Sequence, residues 1–110
     1  MKLPGAEFAV IPPAKVRDYL LSAEHSVGRF KATFFARVGY SRQDWAAFAQ
    51  ALRTIANGND ALEGGADAFG RRFEVRGTLV GPSGRRAEIV TIWIVRTGEA
   101  TPRFVTAHPG

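Results

Sequence analysis

Apolar and polar residues alternate most cleanly between Phe69 and Val80. Phe69, Phe73, Val75 and Leu79 share one parity, and Arg72, Glu74, Arg76 and Thr78 the other. That is the pattern of a strand with one buried face. Gly81-Pro82-Ser83-Gly84 then supplies a turn, with Pro82 presetting its φ. The next run, Arg85 to Arg96, is rich in β-branched residues and apolar on both parities from Ile89 to Val95, as a central strand is. A second turn, Thr97 to Pro102, leads into a last strand from Arg103 to His108. Pro82 and Ser83 at the centre of the first turn set a register: Phe73 opposite Trp93, Val75 opposite Thr91, Arg76 opposite Val90 and Glu74 opposite Ile92. A second loop over Thr97–Thr101 puts Arg96 opposite Pro102, Ile92 opposite Thr106 and Val90 opposite His108. Arg76 and His108 then share one face, with Glu74 and Thr106 one step along. A one-residue slip in either turn would exchange the faces.

Helical periodicity dominates the first half. Glu7 to Ile11 reads as a short edge strand ended by Pro12-Pro13, and Pro13 suits the first turn of a helix over 13–22. After a polar break, Ser26 is placed to cap a helix over 27–38, with Val27, Phe30, Phe34 and Val38 as its apolar stripe and Gly39 as its C-terminal stop. Ser41 caps a third helix over 42–56, with Asp44 in its first turn and Trp45, Phe48, Leu52 and Ile55 facing inward. Asn57 to Asp60 ends it, and Ala61 to Ala68 reads as a flexible loop. Helices first and strands last argue an α+β class, with helices on one face of a small antiparallel sheet and the other face left for a ligand. The length, 110 residues, fits one domain, with its helical part over about 12–57 and its sheet over about 69–108. The expected core is Leu20, Phe34, Trp45, Phe48, Leu52, Phe73, Val75, Ile89 and Trp93.

Charge narrows the range of partners. Lys and Arg total 15 against 10 Asp and Glu, a net +5, and twelve of the cations are arginine. Arginine favours bidentate contacts to phosphate and carboxylate. A GC-rich genome also enriches arginine; the functional reading is a polyanion partner, nucleic acid in the first place, and charge alone does not separate RNA from DNA or from an acidic protein. No apolar run is long enough to span a membrane, and Met1 to Gly5 lacks the apolar core of a signal peptide. The chain has no cysteine and only two histidines, so neither a disulfide framework nor a structural zinc is expected. The expectation is a cytoplasmic protein without metal or cofactor.

Two stretches can carry chemistry. In His25-Ser26-Val27-Gly28-Arg29-Phe30-Lys31, a histidine sits at a loop–helix junction, with Arg29 and Lys31 offering cations to a phosphate. Histidine titrates near neutrality and suits proton transfer in RNA cleavage. In Thr106-Ala107-His108-Pro109, a hydroxyl and a second histidine lie on the last strand. Arg72, Arg76 and Arg103 are candidates to hold the phosphate backbone from the sheet. Spacing alone favours a polar loop, a solvated helix face and a frayed terminal strand over a site. There is no paired-carboxylate metal signature, nucleophile elbow or phosphate loop.

The stretches YLLSAEHSVGRFKATFF and FGRRFEVRGTLVGPSGRRAEIVTIWIVRTGEATPRFVTAHP resemble a bacterial family of domains of unknown function, of about 110 residues. The resemblance spans nearly the whole chain. Its most specific pieces are His25, Gly28 and Lys31, the turn from Gly81 to Arg85, Trp93-Ile94-Val95 and Val105-Thr106-Ala107. The motif layout is also similar to the barnase–EndoU–colicin–RelE nuclease group, mostly metal-independent ribonucleases and many of them toxins. That likeness implies His25 as general acid or base, Lys31 on the phosphate, Thr106 as substrate orienter, and an inhibitor or immunity-type partner. His108 stands where the group would have an aromatic such as tyrosine, which leaves the role of that position open.

Three functions remain: a ribonuclease, a non-catalytic module that holds RNA or an acidic protein on a basic sheet face, and a structural protein that pairs through an edge strand. Convergence of His25 and Lys31 with Thr106 or His108 separates the first from the second.

Overall fold

The computed structural model describes residues 1–110. Its elements follow the α+β order. A 3₁₀ turn, Ala6–Phe8, comes first. Pro13–Lys15 then starts a helix that widens into a π-helical turn over Val16–Leu20; together they are α1. Next come α2, Arg29–Val38, and α3, Trp45–Gly58, the latter led in by a 3₁₀ turn over Arg42–Asp44. The strands are β1, Ala61–Asp67; β2, Gly70–Val80; β3, Arg86–Arg96; and β4, Arg103–Pro109. They form one antiparallel sheet in the order β1-β2-β3-β4. No helix is long and apolar enough to cross a membrane.

The hairpin register is the expected one. Phe73 pairs with Trp93, Val75 with Thr91, Arg76 with Val90 and Glu74 with Ile92. On the other side of β3, Ile92 pairs with Thr106 and Val90 with His108. Beyond Ile92 the register departs from expectation: a bulge between Ile92 and Trp93 sets Trp93 opposite Phe104 and Ile94 opposite Arg103, so Arg96 does not face Pro102. The extra residue in β4 is Val105. It brings Phe104 onto the buried face, where its ring meets Trp93 edge to face at 5.3 Å. A bulge re-aims one side chain in this way without losing the ladder on either side.

Phe73, Val75, Leu79, Ile89, Trp93 and Phe104 line the helix-covered face of the sheet. Phe35, Phe48, Leu20 and Leu52 meet them from the helices. Trp93 donates its indole N–H to Thr91 Oγ1 at 2.8 Å, and Thr91 donates to the Val75 carbonyl at 2.7 Å, so no buried polar atom of this trio is left unpaired. Phe34 and Trp45, expected in the core, are only partly buried against it.

Four local expectations are corrected. The segment Glu7 to Ile11 is no strand: it is the 3₁₀ turn and one parallel bridge, Val10 to Arg103. The residues expected as a flexible loop, 61–68, contain β1, paired to β2 with a bulge between Glu63 and Ala66. Ser26 does not cap α2; the His25 ring accepts the free N–H groups there. The apolar stripe of α2 is also displaced. Ala32, Phe35 and Val38 face the core, while Val27 and Phe30 are exposed. Two caps stand as expected. Gly39, at φ 114°, closes α2 with its N–H on the Phe35 and Ala36 carbonyls. Ser41 and Asp44 form a reciprocal capping box ahead of α3.

Candidate functional site

The start of α2 is assembled around one close approach. A Cβ on Gly28 would lie 2.1 Å from the Tyr19 carbonyl oxygen, so only glycine lets the end of α1 and the start of α2 touch. The chain between them turns back through His25. Its Nδ1 accepts the backbone N–H groups of Val27 at 3.1 Å and Gly28 at 3.0 Å. Two donors aimed at Nδ1 leave that nitrogen no hydrogen, so the neutral ring carries its one hydrogen on Nε2. The His25 ring packs edge-on against Tyr19 at 4.9 Å between centroids.

Lys31 ties this corner to the sheet. Its Nζ donates to Thr106 Oγ1 at 3.0 Å, a contact 75 residues apart in sequence, and lies 5.5 Å from the Tyr19 ring centroid. A lysine over an aromatic face gains from the ring quadrupole. Tyr19 therefore touches both His25 and Lys31, and Lys31 touches Thr106. These four half-buried side chains form one continuous group. At its other end α2 is held to the β2–β3 turn, by Arg85 donating to the Arg37 carbonyl at 2.8 Å and by the Tyr40 hydroxyl donating to the Val80 carbonyl at 2.7 Å.

His108 lies two residues beyond Thr106 on β4, on the same face. Its Nδ1 is 3.0 Å from the Pro109 carbonyl oxygen. A carbonyl only accepts, so this bond requires the hydrogen on Nδ1, which in the neutral ring leaves Nε2 with a free lone pair. The two histidines thus present opposite tautomers. Nothing gathers three His, Asp or Glu side chains as metal ligands.

The sheet arginines are less free than their number suggests. Arg72 bonds Asp67 at 2.9 Å, Arg76 bonds Glu74 at 3.3 Å and Arg103 bonds Glu99 at 3.2 Å. All three lie on the face opposite Phe73, Val75 and Trp93, which Lys31 of α2 reaches at the β4 edge through Thr106. Rows across β2, β3 and β4 read Arg72–Ile94–Arg103, Glu74–Ile92–Thr106 and Arg76–Val90–His108. That face has an apolar middle strip between charged edges. Arg72 and backbone N–H groups of Phe69 and Gly70 hold the Asp67 carboxyl below the ordinary carboxylate range, the Phe69 bond being the strongest influence. Arg29 stays at the helix start: it donates to the Ser26 carbonyl at 2.6 Å and lies over the Phe30 ring.

Tyr19 is the member of this group that sequence reasoning missed. Its signal was faint: a polar aromatic in the last turn of a short helix, six residues before His25. It sits in the π-helical turn of α1, and such turns recur at functional sites.

The fold is shared with a chain of the contact-dependent growth inhibition toxin–immunity protein complex from Klebsiella pneumoniae 342. The match covers 92% of this chain and 99% of that one, at a TM-score of 0.72 and 19% sequence identity. No curated protein matches the chain. Residues 2–110 match the family model of a domain of unknown function, DUF6883, and the chain belongs to that family.

Proposed function

We propose that this chain is a metal-independent, toxin-like ribonuclease domain, acting in the cytoplasm as one unit over 1–110. One observation carries the reading: the hydrogen bond from Lys31 to Thr106, which brings a cation and a hydroxyl from distant elements together beside Tyr19, whose ring also packs against His25. A purely solvated lysine has no reason to be held in that way. The likeness to a chain of a toxin–immunity complex suits either half of such a pair; the Lys31–Thr106 contact favours the toxin half, with an immunity-type protein as its partner.

The chemistry is an in-line attack of a ribose 2′-OH on the adjacent phosphorus. The new P–O bond closes a 2′,3′-cyclic phosphate, and the bond to the 5′-oxygen breaks. His108 Nε2, with its lone pair free, takes the 2′-OH proton. The Lys31 ammonium neutralises the developing phosphorane and supplies a proton to the leaving 5′-oxygen. Thr106 fixes the lysine. His25 donates from Nε2 to a phosphate oxygen, and its own ring is fixed by the Val27 and Gly28 amides. Arg29, Arg72, Arg76 and Arg103 hold flanking phosphates.

The test is incubation of the pure protein with mixed RNA in EDTA. Cleavage should leave 2′,3′-cyclic ends. Lys31→Ala should lower the rate about 10²–10³-fold, as loss of a transition-state donor does, and His25→Ala and His108→Ala should each lower it about 10²-fold or more. Folded wild-type protein that binds RNA without cleaving it points to the second reading, a non-catalytic RNA- or acidic-protein-binding module.

A further inference from the structure

The outer face of α2 carries an apolar surface that the core does not use. Phe30 is 70% exposed and Val27 59%. At about 100° per residue, Phe30 lies a quarter-turn round α2 from Lys31, and Val27 is exposed in the turn that leads into the helix. The patch therefore borders the cation that the ribonuclease reading puts on the phosphate. Phe30 is also not simply bare. The Arg29 guanidinium carbon lies 4.6 Å from its ring centroid, and the same guanidinium is anchored on the Ser26 carbonyl. One ring face is thus backed by a fixed cation and the other is open.

We infer that Phe30, backed by Arg29, is a stacking platform for an unpaired RNA base next to the phosphate held at Lys31, so that the substrate is single-stranded or looped RNA. This rests on the ribonuclease reading and adds the substrate class to it. Three features favour a base over a protein side chain. A ring with a cation behind it suits a base on its free face. Arg29 brings positive charge where the flanking phosphates must pass. Lys31, one residue on, holds the backbone of the same strand. Bases inside a duplex are already stacked on each other and cannot reach the ring, so the platform selects unpaired RNA.

The full-length chain would be tested with a short, labelled 2′-O-methyl oligonucleotide, alone and annealed to its complement. The methyl group blocks the attacking oxygen, so binding is read without cleavage. Wild type should prefer the single strand. Phe30→Ala should weaken single-strand binding about tenfold, within the range alanine substitution at a stacking residue gives, and leave duplex binding unchanged. Phe30→Trp should restore it. Phe30 contributes little to the core, so a thermal melt should show all three proteins equally folded. Equal single-strand binding by wild type and Phe30→Ala overturns this inference alone, and points to a protein partner for the patch. Equal losses on single strand and duplex overturn it as well. Failure of wild type to hold either oligonucleotide overturns it together with the ribonuclease reading.

Discussion

Gly28 shows how much one missing carbon decides. Its Cα rests against the Tyr19 carbonyl, and its N–H is one of the two that fix the His25 ring. Gly28→Ala would place a methyl group inside that contact and force α1 and α2 apart. We expect a loss of about 2–3 kcal/mol in a urea titration, at the upper end for overpacking. Cleavage should fall further than stability explains, because His25 and Tyr19 separate with the helices. The buried relay under the sheet makes a second residue-level prediction. Thr91→Val leaves both the Trp93 indole N–H and the Val75 carbonyl without this partner. Each orphaned buried group costs about 1–3 kcal/mol. Trp93→Ala should cost about 3–5 kcal/mol, since the ring is fully enclosed. The two losses should not add in the double mutant, because Thr91 has no indole left to serve. Equal unfolding midpoints for Thr91→Val and wild type would show that the relay is of no consequence.

At the scale of elements, legibility followed the chemistry that made each one. β2 and β3 were readable because alternation, a Pro-containing turn and β-branched residues agree. The register around Thr106 and His108 followed from turn length, up to the bulge at Ile92. β1 was not readable: Ala61-Leu62-Glu63-Gly64-Gly65-Ala66-Asp67 has no β-branched residue, and it is held by its ladder to β2 and by Arg71 on Glu63. The stripe of α2 misled for a different reason. Phe34 and Phe35 are adjacent, so two stripes are possible, and the more apolar one was the natural choice. The real inner face contains Gly28 and Lys31, because the first turn of α2 passes the end of α1 and meets β4 instead of covering the core. A candidate site residue therefore occupied a position that periodicity assigned to solvent. The candidate pair His25 and Lys31 was legible from residue type, while the Tyr19 ring that both contact and the bond from Lys31 to Thr106 needed the tertiary structure. The capping box before α3 is a local device and can be tested as one. Ser41→Ala should cost about 1 kcal/mol by thermal or urea unfolding and leave RNA cleavage unchanged, since it lies outside the Tyr19–Lys31–Thr106 group.

Across the whole molecule, charge acts through pairs more than through net excess. Asp18 bridges Arg17 of α1 and Arg42 ahead of α3, and its pKa is drawn down from 3.8 to about 2, first by the Arg17 hydrogen bond and then by Arg42. A depressed carboxylate favours the folded state fully above the unfolded value of 3.8, and that contribution is lost as pH falls toward about 2. Stability should therefore drop with acid over that window, and Asp18→Asn should flatten the drop; an unchanged acid slope in the mutant would remove the bridge from the account. The same pairing sets how the sheet meets a polyanion. Four expected phosphate contacts, Arg29, Arg72, Arg76 and Arg103, would give a steep salt dependence if all were free, with a slope of about −0.7 per phosphate on single strands. Three of them already face carboxylates. A phosphate must displace Asp67, Glu74 or Glu99, and each displaced carboxylate returns a negative charge to the face proposed to hold the RNA. The observed slope should then be shallower than the cation count implies. Glu74 is the decisive case: it bonds Arg76 and shares the Ile92–Thr106 row. Glu74→Gln should release Arg76, tighten binding of a non-cleavable RNA at low salt and steepen the slope by up to about 0.7. Arg76→Ala in the wild-type background should weaken binding only slightly and evenly across sequences, since the contact reads no base. A large loss from Arg76→Ala with no gain from Glu74→Gln would mean that Arg76 meets the phosphate while still paired, and that Glu74 is no competitor.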